Sequence, residues 1–254
     1  MKDNVHVHLP FRFLKKNIKL VLDNRINVEI YFSGNCLDNY PLEEIFEVQR
    51  ILEEGNIRLS FHAPYMDLSP GGVDRLVNEI TLKRMQQVLS LAERFKPNVI
   101  VVHPGYDDWR YGEHIDEWLE NSIKTWKRVI EMSSHLETVI AIENVFEKTP
   151  DTLLNLIEAV DSSRFRYCLD TGHFNLFSEI AFEEWFKRIG HYIEEIHLHD
   201  NFGKEDEHLA IGEGQFDFPL LFSLLETHGC SPLLTVEAKN KEKIIKSLGY
   251  LKAI

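Results

Sequence analysis

The chain has 254 residues, 44% of them hydrophobic and 27% charged, which is the balance of one globular domain and excludes a disordered or fibrous chain. No apolar run reaches the roughly 18 residues of a membrane span, and MKDNVHVHLP lacks the charged and apolar regions of a signal peptide, so no membrane partner is expected. The formal net charge of −13 weighs against a basic face for phosphate backbones, although bound divalent cations would offset part of it.

Strand and helix patterns alternate along the chain. A strand at residues 5–9 precedes a short helix at 17–24, and a strand at 28–32 precedes a helix at 42–54. A strand at 57–62 leads to the longest helix, where Val73, Leu76, Val77, Ile80, Val88, Leu91, Ala92 and Phe95 recur at helical spacing. Strands at 99–103, 139–143, 165–170, 193–199 and 233–237 then alternate with helices at 115–136, 152–160, 182–189, 219–227 and 241–252. VIVVH and TVIAIE are continuous apolar runs, as parallel strands buried on both faces require. Eight such units predict a single (β/α)8 barrel over residues 1–254. A doubly wound sheet is the alternative, but no Gly-x-Gly-x-x-Gly follows the first strand.

Polar residues gather where the strands end. FHAPY supplies His62 and Tyr65, VVHPG supplies His103, and AIEN supplies Glu143 and Asn144. CLDTGH supplies Asp170 and His173, IHLHD supplies His197 and His199 on one strand face, and TVEAK supplies Glu237. Asp206 and His208 follow at an i, i+2 spacing that lets both face one point in extended chain, before a tight turn at Gly212 and Gly214. In a barrel all these ends open onto one mouth. Buried carboxylates and imidazoles in such number are costly unless paired or bound to metal, so a divalent-metal site is expected there. The imidazole-rich set favours Zn2+ or Mn2+ over Mg2+, with one to three ions per chain.

Other residues have plainer readings. Cys36, Cys168 and Cys230 form no Cys-x-x-Cys pair, and reduced thiols in a cytoplasmic protein are the default. His8 shares a strand face with His6 and either reaches the mouth or lies hydrogen-bonded in the barrel. Trp109, Tyr111 and His114 follow the fourth strand in a loop able to lid the site and stack on a sugar face. Trp118, Trp126 and Trp185 fall on helices as core residues. Phe174, Phe177, Phe202 and Phe216 fall in mouth loops, where an exposed aromatic cluster would mark a partner surface or an oligomer interface.

On FHAPY, CLDTGH, HLHDN, DEHLAIGEG and TVEAK, the chain resembles the xylose isomerase-like TIM-barrel superfamily. That group contains sugar isomerases and epimerases and the endonuclease IV type of apurinic-site nuclease, and the motifs look like the sugar phosphate isomerase/epimerase branch. The resemblance implies that Glu143, Asp170, His197 and Glu237 hold the shared metal. It also matches His62 and His103, with Glu143 as bridge, to the nuclease's second metal, and His173, Asp206 and His208 to its third. Tyr65 stands where the nuclease has a tyrosine near its site. The nuclease pattern differs in having a Gly-rich loop where this chain has HVHLPFRFL, a cysteine where Gly172 stands, and an arginine where Glu207 stands.

Two chemistries follow from that likeness. In an isomerase or epimerase of a small polyol, keto sugar or sugar phosphate, Glu143 and Glu237 act as acid and base through a metal-stabilised enediolate. His173 then orients a hydroxyl, and Tyr65, His8, Trp109 and Lys204 are candidate substrate contacts. In a zinc-dependent phosphodiesterase on abasic DNA, the histidines are ligands and Arg12, Lys15, Arg110, Lys204 and Lys239 would meet phosphates. The isomerase is the favoured reading, since the loops depart from the nuclease and no basic groove is evident. A non-catalytic metal-binding scaffold is the third reading.

Overall fold

Strands that are apolar on both faces need helices outside and side chains packed inside, and a closed barrel satisfies both demands. The structure, a computed structural model, describes residues 4–253. Eight parallel strands close in sequence order: β1 (Val5–Pro10), β2 (Asn27–Tyr31), β3 (Leu59–His62), β4 (Val99–Val102), β5 (Val139–Glu143), β6 (Phe165–Asp170), β7 (Ile193–Leu198) and β8 (Leu233–Val236). Closure comes from β1 on β8, with Val5 opposite Leu234 and Val7 opposite Val236.

The helices are α1 (Phe11–Asn24), α2 (Gly34–Asn39), α3 (Leu42–Glu54), α4 (Arg75–Phe95), α5 (Asp108–Tyr111), α6 (Ile115–Met132), α7 (Asp151–Val160), α8 (Thr171–Phe177), α9 (Phe182–Ile189), α10 (Phe218–Thr227) and α11 (Lys241–Ala253). The first helix was expected only at 17–24 and begins at Phe11. Asn17 takes a non-helical φ of −114°, and that kink splits the apolar repeat into two halves. The sixth was expected to reach residue 136 and ends at Met132. Short helices α2 and α8 are too brief to show a period, but each begins at a side-chain cap, Ser33 accepting from the Cys36 amide and Asp170 from the His173 amide. None of the described helices is long and apolar enough to cross a membrane.

The barrel interior is divided. One side is apolar, with Val99, Val101, Ala141 and Cys168 packed together. The other carries a polar floor. His6 Nδ1 lies 3.0 Å from Ser60 Oγ, Ser60 donates to Glu195 over 3.1 Å, and Thr235 donates to the same carboxyl oxygen. Burial, with the nearby Glu29 carboxylate, pushes Glu195 up to about 8, and burial lowers His6 to about 4, so the floor is neutral near pH 7. Outside the strands, Trp118, Trp126 and Trp185 are fully buried, as their helical positions predicted. Phe174 and Phe216 correct the expectation of an exposed aromatic cluster: they pack on each other and on Phe182, while Phe202 stays exposed.

Candidate metal centre

The strand ends bring their polar side chains to one point. His197, near the end of β7, is 0% exposed, and its Nε2 donates to Glu29 Oε2 over 3.1 Å. Its Nδ1 has no hydrogen-bond partner among the described residues. That lone nitrogen faces Glu237 Oε1 at 3.5 Å, Glu143 Oε1 at 3.6 Å and Asp170 Oδ2 at 3.8 Å. Glu143, at the end of β5, is engaged on both oxygens. Oε2 lies 3.2 Å from His62 Nε2 and 3.1 Å from His103 Nε2, while Oε1 lies 3.2 Å from His173 Nδ1.

Local sequence explains the placements. Asp170 ends β6 and caps α8, its carboxylate accepting from the His173 amide over 2.7 Å, so LDTGH delivers a carboxylate and an imidazole to one mouth. Asn144 latches the two strand ends: it donates to Asp170 O over 3.0 Å, and its Oδ1 accepts from the Asp170 amide and from Tyr167. The 196–214 segment is folded back by Asp200, which is buried and accepts from the amides of Asn201, Gly212, Gly214 and Phe216 at 2.8–3.1 Å. Gly212 has φ +81°, and a Cβ at Gly214 would collide with Asn201 and the Asp200 carboxylate. Lys239 and Lys243 pin the same loop by donating to the carbonyls of Asp206 and of Glu207 and His208.

Asp206 and His208 do reach the mouth, but not side by side from extended chain. His208 adopts φ +47°, and its Nε2 meets Asp206 Oδ2 at 2.9 Å. His8 reaches the mouth as well, with Nδ1 2.7 Å from Glu29 Oε1 and 3.0 Å from Glu237 Oε1. Tyr65 stacks on His103, centroids 4.3 Å apart. Trp109, at 94% exposure, and the exposed Lys204 stand apart from the residues that line the cavity over the site. Among the other cations of the nuclease reading, Arg110 and Lys239 line it, whereas Arg12 is exposed elsewhere and Lys15 is paired with Glu44.

Glu29 was not read from the sequence. It is fully buried under the centre and joins His8 to His197. No motif marks it; the available signal was one carboxylate inside a strand otherwise buried on both faces. Burial opposes its ionisation, but the imidazoles of His197 and His8 outweigh that and hold it well below the usual carboxylate range. Glu143, Asp170 and Glu237 are likewise lowered against burial by surrounding histidines, His103 and His197 acting most on Glu143. In return Glu143 raises His62 to about 9, and Asp170 with Glu143 raises His173 to about 10, in both cases against burial.

The donors fit a divalent cation. They are imidazole and ionised carboxylate, and His62, Glu143 and His197 offer ligand atoms within 4.8 Å of one another. The buried Nδ1 of His197 has no hydrogen-bond partner among the described residues, while, against burial, Cys168, Glu29, Glu237 and Glu143 raise that imidazole well above its usual range. Above them lies a cavity of about 1680 Å³, lined by His62, His103, Glu143 and Glu237 of the centre and by Phe13, Met66, Val73, Val77 and Arg110.

Comparison with known proteins agrees with this fold. Residues 27–254 match the family described as xylose isomerase-like TIM barrel. An uncharacterized protein of Methanocaldococcus jannaschii is 32% identical over 203 residues, covering 77% of this chain and 69% of that one. A probable endonuclease 4 of Mesomycoplasma hyopneumoniae is 26% identical over 236 residues, with 82% of each chain covered. Among solved structures, a D-tagatose 3-epimerase-like protein superposes with a TM-score of 0.86 at 25% identity, covering 98% of this chain and 96% of that one. The chain belongs to the xylose isomerase-like TIM barrel family.

Proposed function

We propose that the protein is a divalent-metal-dependent isomerase or epimerase of a small keto sugar, polyol or sugar phosphate. The observation that carries the reading is the convergence of Glu143, Asp170 and Glu237 on the free Nδ1 of His197, at the base of the cavity. These four residues would hold the ion, and His62, His103, His173, Asp206 and His208 would serve further ions or hold hydroxyls. A bound divalent ion supplies Lewis acidity to a carbonyl and its neighbouring hydroxyl, which acidifies the C–H between them.

The rest falls to the chain. Glu143 and Glu237 come from β5 and from the residue after β8, and both are held ionised, so one removes the proton and the other returns it. His173 is placed by the Asp170 cap to orient a hydroxyl. Tyr65 and His8 present an aromatic face and a polar edge to the same space. The likeness to a D-tagatose 3-epimerase-like protein supports this reading.

A second reading, a zinc-dependent nuclease on abasic DNA, is favoured by Glu143. Two imidazoles face one of its oxygens and two face the other, as suits a carboxylate bridging two ions, and the likeness to probable endonuclease 4 proteins supports it. Against it stands the net charge of −13; the cavity walls mix apolar Phe13, Met66, Val73 and Val77 with the cations Arg110, Lys239, Lys241 and Lys252.

The deciding experiment is solvent-deuterium exchange into ketopentoses, ketohexoses and their phosphates by Zn2+- or Mn2+-loaded protein, alongside cleavage of an abasic duplex. Metal-dependent exchange at the carbon next to the carbonyl, lost in Glu143→Gln and Glu237→Gln, is the expected result. Duplex cleavage without any exchange would overturn the isomerase reading.

A further inference from the structure

His199 stands outside the ligand set just described, yet it is wired as His197 is. Both rings are 0% exposed. Each turns Nε2 to a buried carboxylate, His197 to Glu29 at 3.1 Å and His199 to Asp170 at 3.0 Å. Each leaves Nδ1 buried and without a hydrogen-bond partner among the described residues. A carboxylate on the far nitrogen of an imidazole fixes the tautomer and aims the near lone pair, which is the arrangement that supports metal-ligating histidines. The near lone pair of His199 faces Asp206 Oδ1 at 3.6 Å. That is too long for a hydrogen bond. It is the span of two ligand atoms, each about 2.0–2.1 Å from one ion, at an angle of about 120°.

We propose that His199 Nδ1 and Asp206 form the heart of a second divalent-cation site, beside the centre built on His197. The proposal rests on the metal reading above and adds a ligand to it. His208 does not compete for the same point. Its ring lies parallel to His199, with centroids 4.0 Å apart and planes 6° apart, so the lone pairs of the two rings lie in separate planes. His208 instead meets the other oxygen of Asp206, at 2.9 Å. An imidazole nitrogen and a carboxylate oxygen are donors that suit zinc or another borderline divalent ion.

Gly172 and His199 act as one unit. A Cβ at residue 172 would fall inside the His199 imidazole. The cysteine that the nuclease pattern carries at this place would therefore displace the ring, and the glycine of LDTGH is what admits it.

The test separates the two roles of His199. His199→Gln keeps a side-chain N–H to donate to Asp170 but removes the Nδ1 lone pair. Wild-type protein loaded with ZnCl2 and freed of excess by gel filtration is expected to retain at least two ions. His199→Gln is expected to retain one fewer, with the remaining ion resisting a competing chelator as in wild type. Gly172→Ala, which pushes the ring aside, is expected to lose the same ion and serves if His199→Gln does not fold. Undiminished zinc content in His199→Gln would overturn the proposal, leaving His199 as a hydrogen-bond partner of Asp170 only. One ion in the wild type would overturn it while sparing the four-residue centre, and no ion at all would remove the metal reading along with it.

Discussion

Single buried groups carry most of the site's energetics. Glu29 touches no cavity space, but it fixes His197 Nε2 and His8 Nδ1 together. Glu29→Gln is expected to weaken metal binding by about 10–100-fold, the usual effect of removing a partner behind a ligand, as read by chelator competition. Glu147 offers a test outside the ligand set. Burial, only partly offset by the Val145 amide that donates to it over 2.6 Å, pushes it up to about 7 from 4.5. Because the folded value lies above the ordinary one, its stabilising contribution is full below pH 4.5 and is lost as pH rises through about 7. Glu147→Gln should therefore match wild type in acid and exceed it above neutrality, by at most about 3 kcal/mol in urea unfolding. A gap independent of pH would show that Glu147 folds without this penalty.

At the scale of elements, the site depends on how two segments are tied down. Strand β6 and helix α8 are joined through Asp170, whose dual role as strand end and cap fixes His173. The loop after β7 has one isolated bridge, Asp200 to Leu209, and owes its shape to the Asp200 carboxylate and four backbone amides. Asp200→Ala leaves those amides without their charged acceptor, at a cost on the order of 3 kcal/mol or more. The expected outcome is a lower Tm together with loss of any ion held by Asp206 and His208. A normal zinc content in that variant would mean that Lys239 and Lys243 suffice to hold the loop.

For the whole molecule, the balance of charge ties stability to metal. Glu143, Asp170 and Glu237 crowd one barrel mouth above Glu29 in a chain of net charge −13, and in metal-free protein protonated histidines such as His62 and His173 compensate them. A cation that binds only the folded state at about a hundred times its Kd adds about 2.7 kcal/mol. Stripping it with a chelator should therefore lower Tm by roughly 5–10 °C, scanned by calorimetry with and without added ZnCl2. An unchanged Tm would mean that no cation binds the folded state in preference to the unfolded chain.

The barrel and most of its mouth were legible in the chain itself, because buried parallel strands leave continuous apolar runs such as VIVVH and because polar residues that end strands stand out against them. His62, Glu143, Asp170, His197 and Glu237 were found this way, each one the last residue of a strand or within a residue or so of its end. Tertiary structure alone decided the rest. Glu29 lies inside β2 and meets His197 of β7 only when the barrel closes, a pairing across 168 residues that no local spacing encodes. The fate of His199 depended on an empty volume at Gly172, and a missing side chain shows its purpose only once its neighbours are in place. The kink at Asn17 and the left-handed turn at His208 were hidden for a related reason: each breaks the local period from which an element is read.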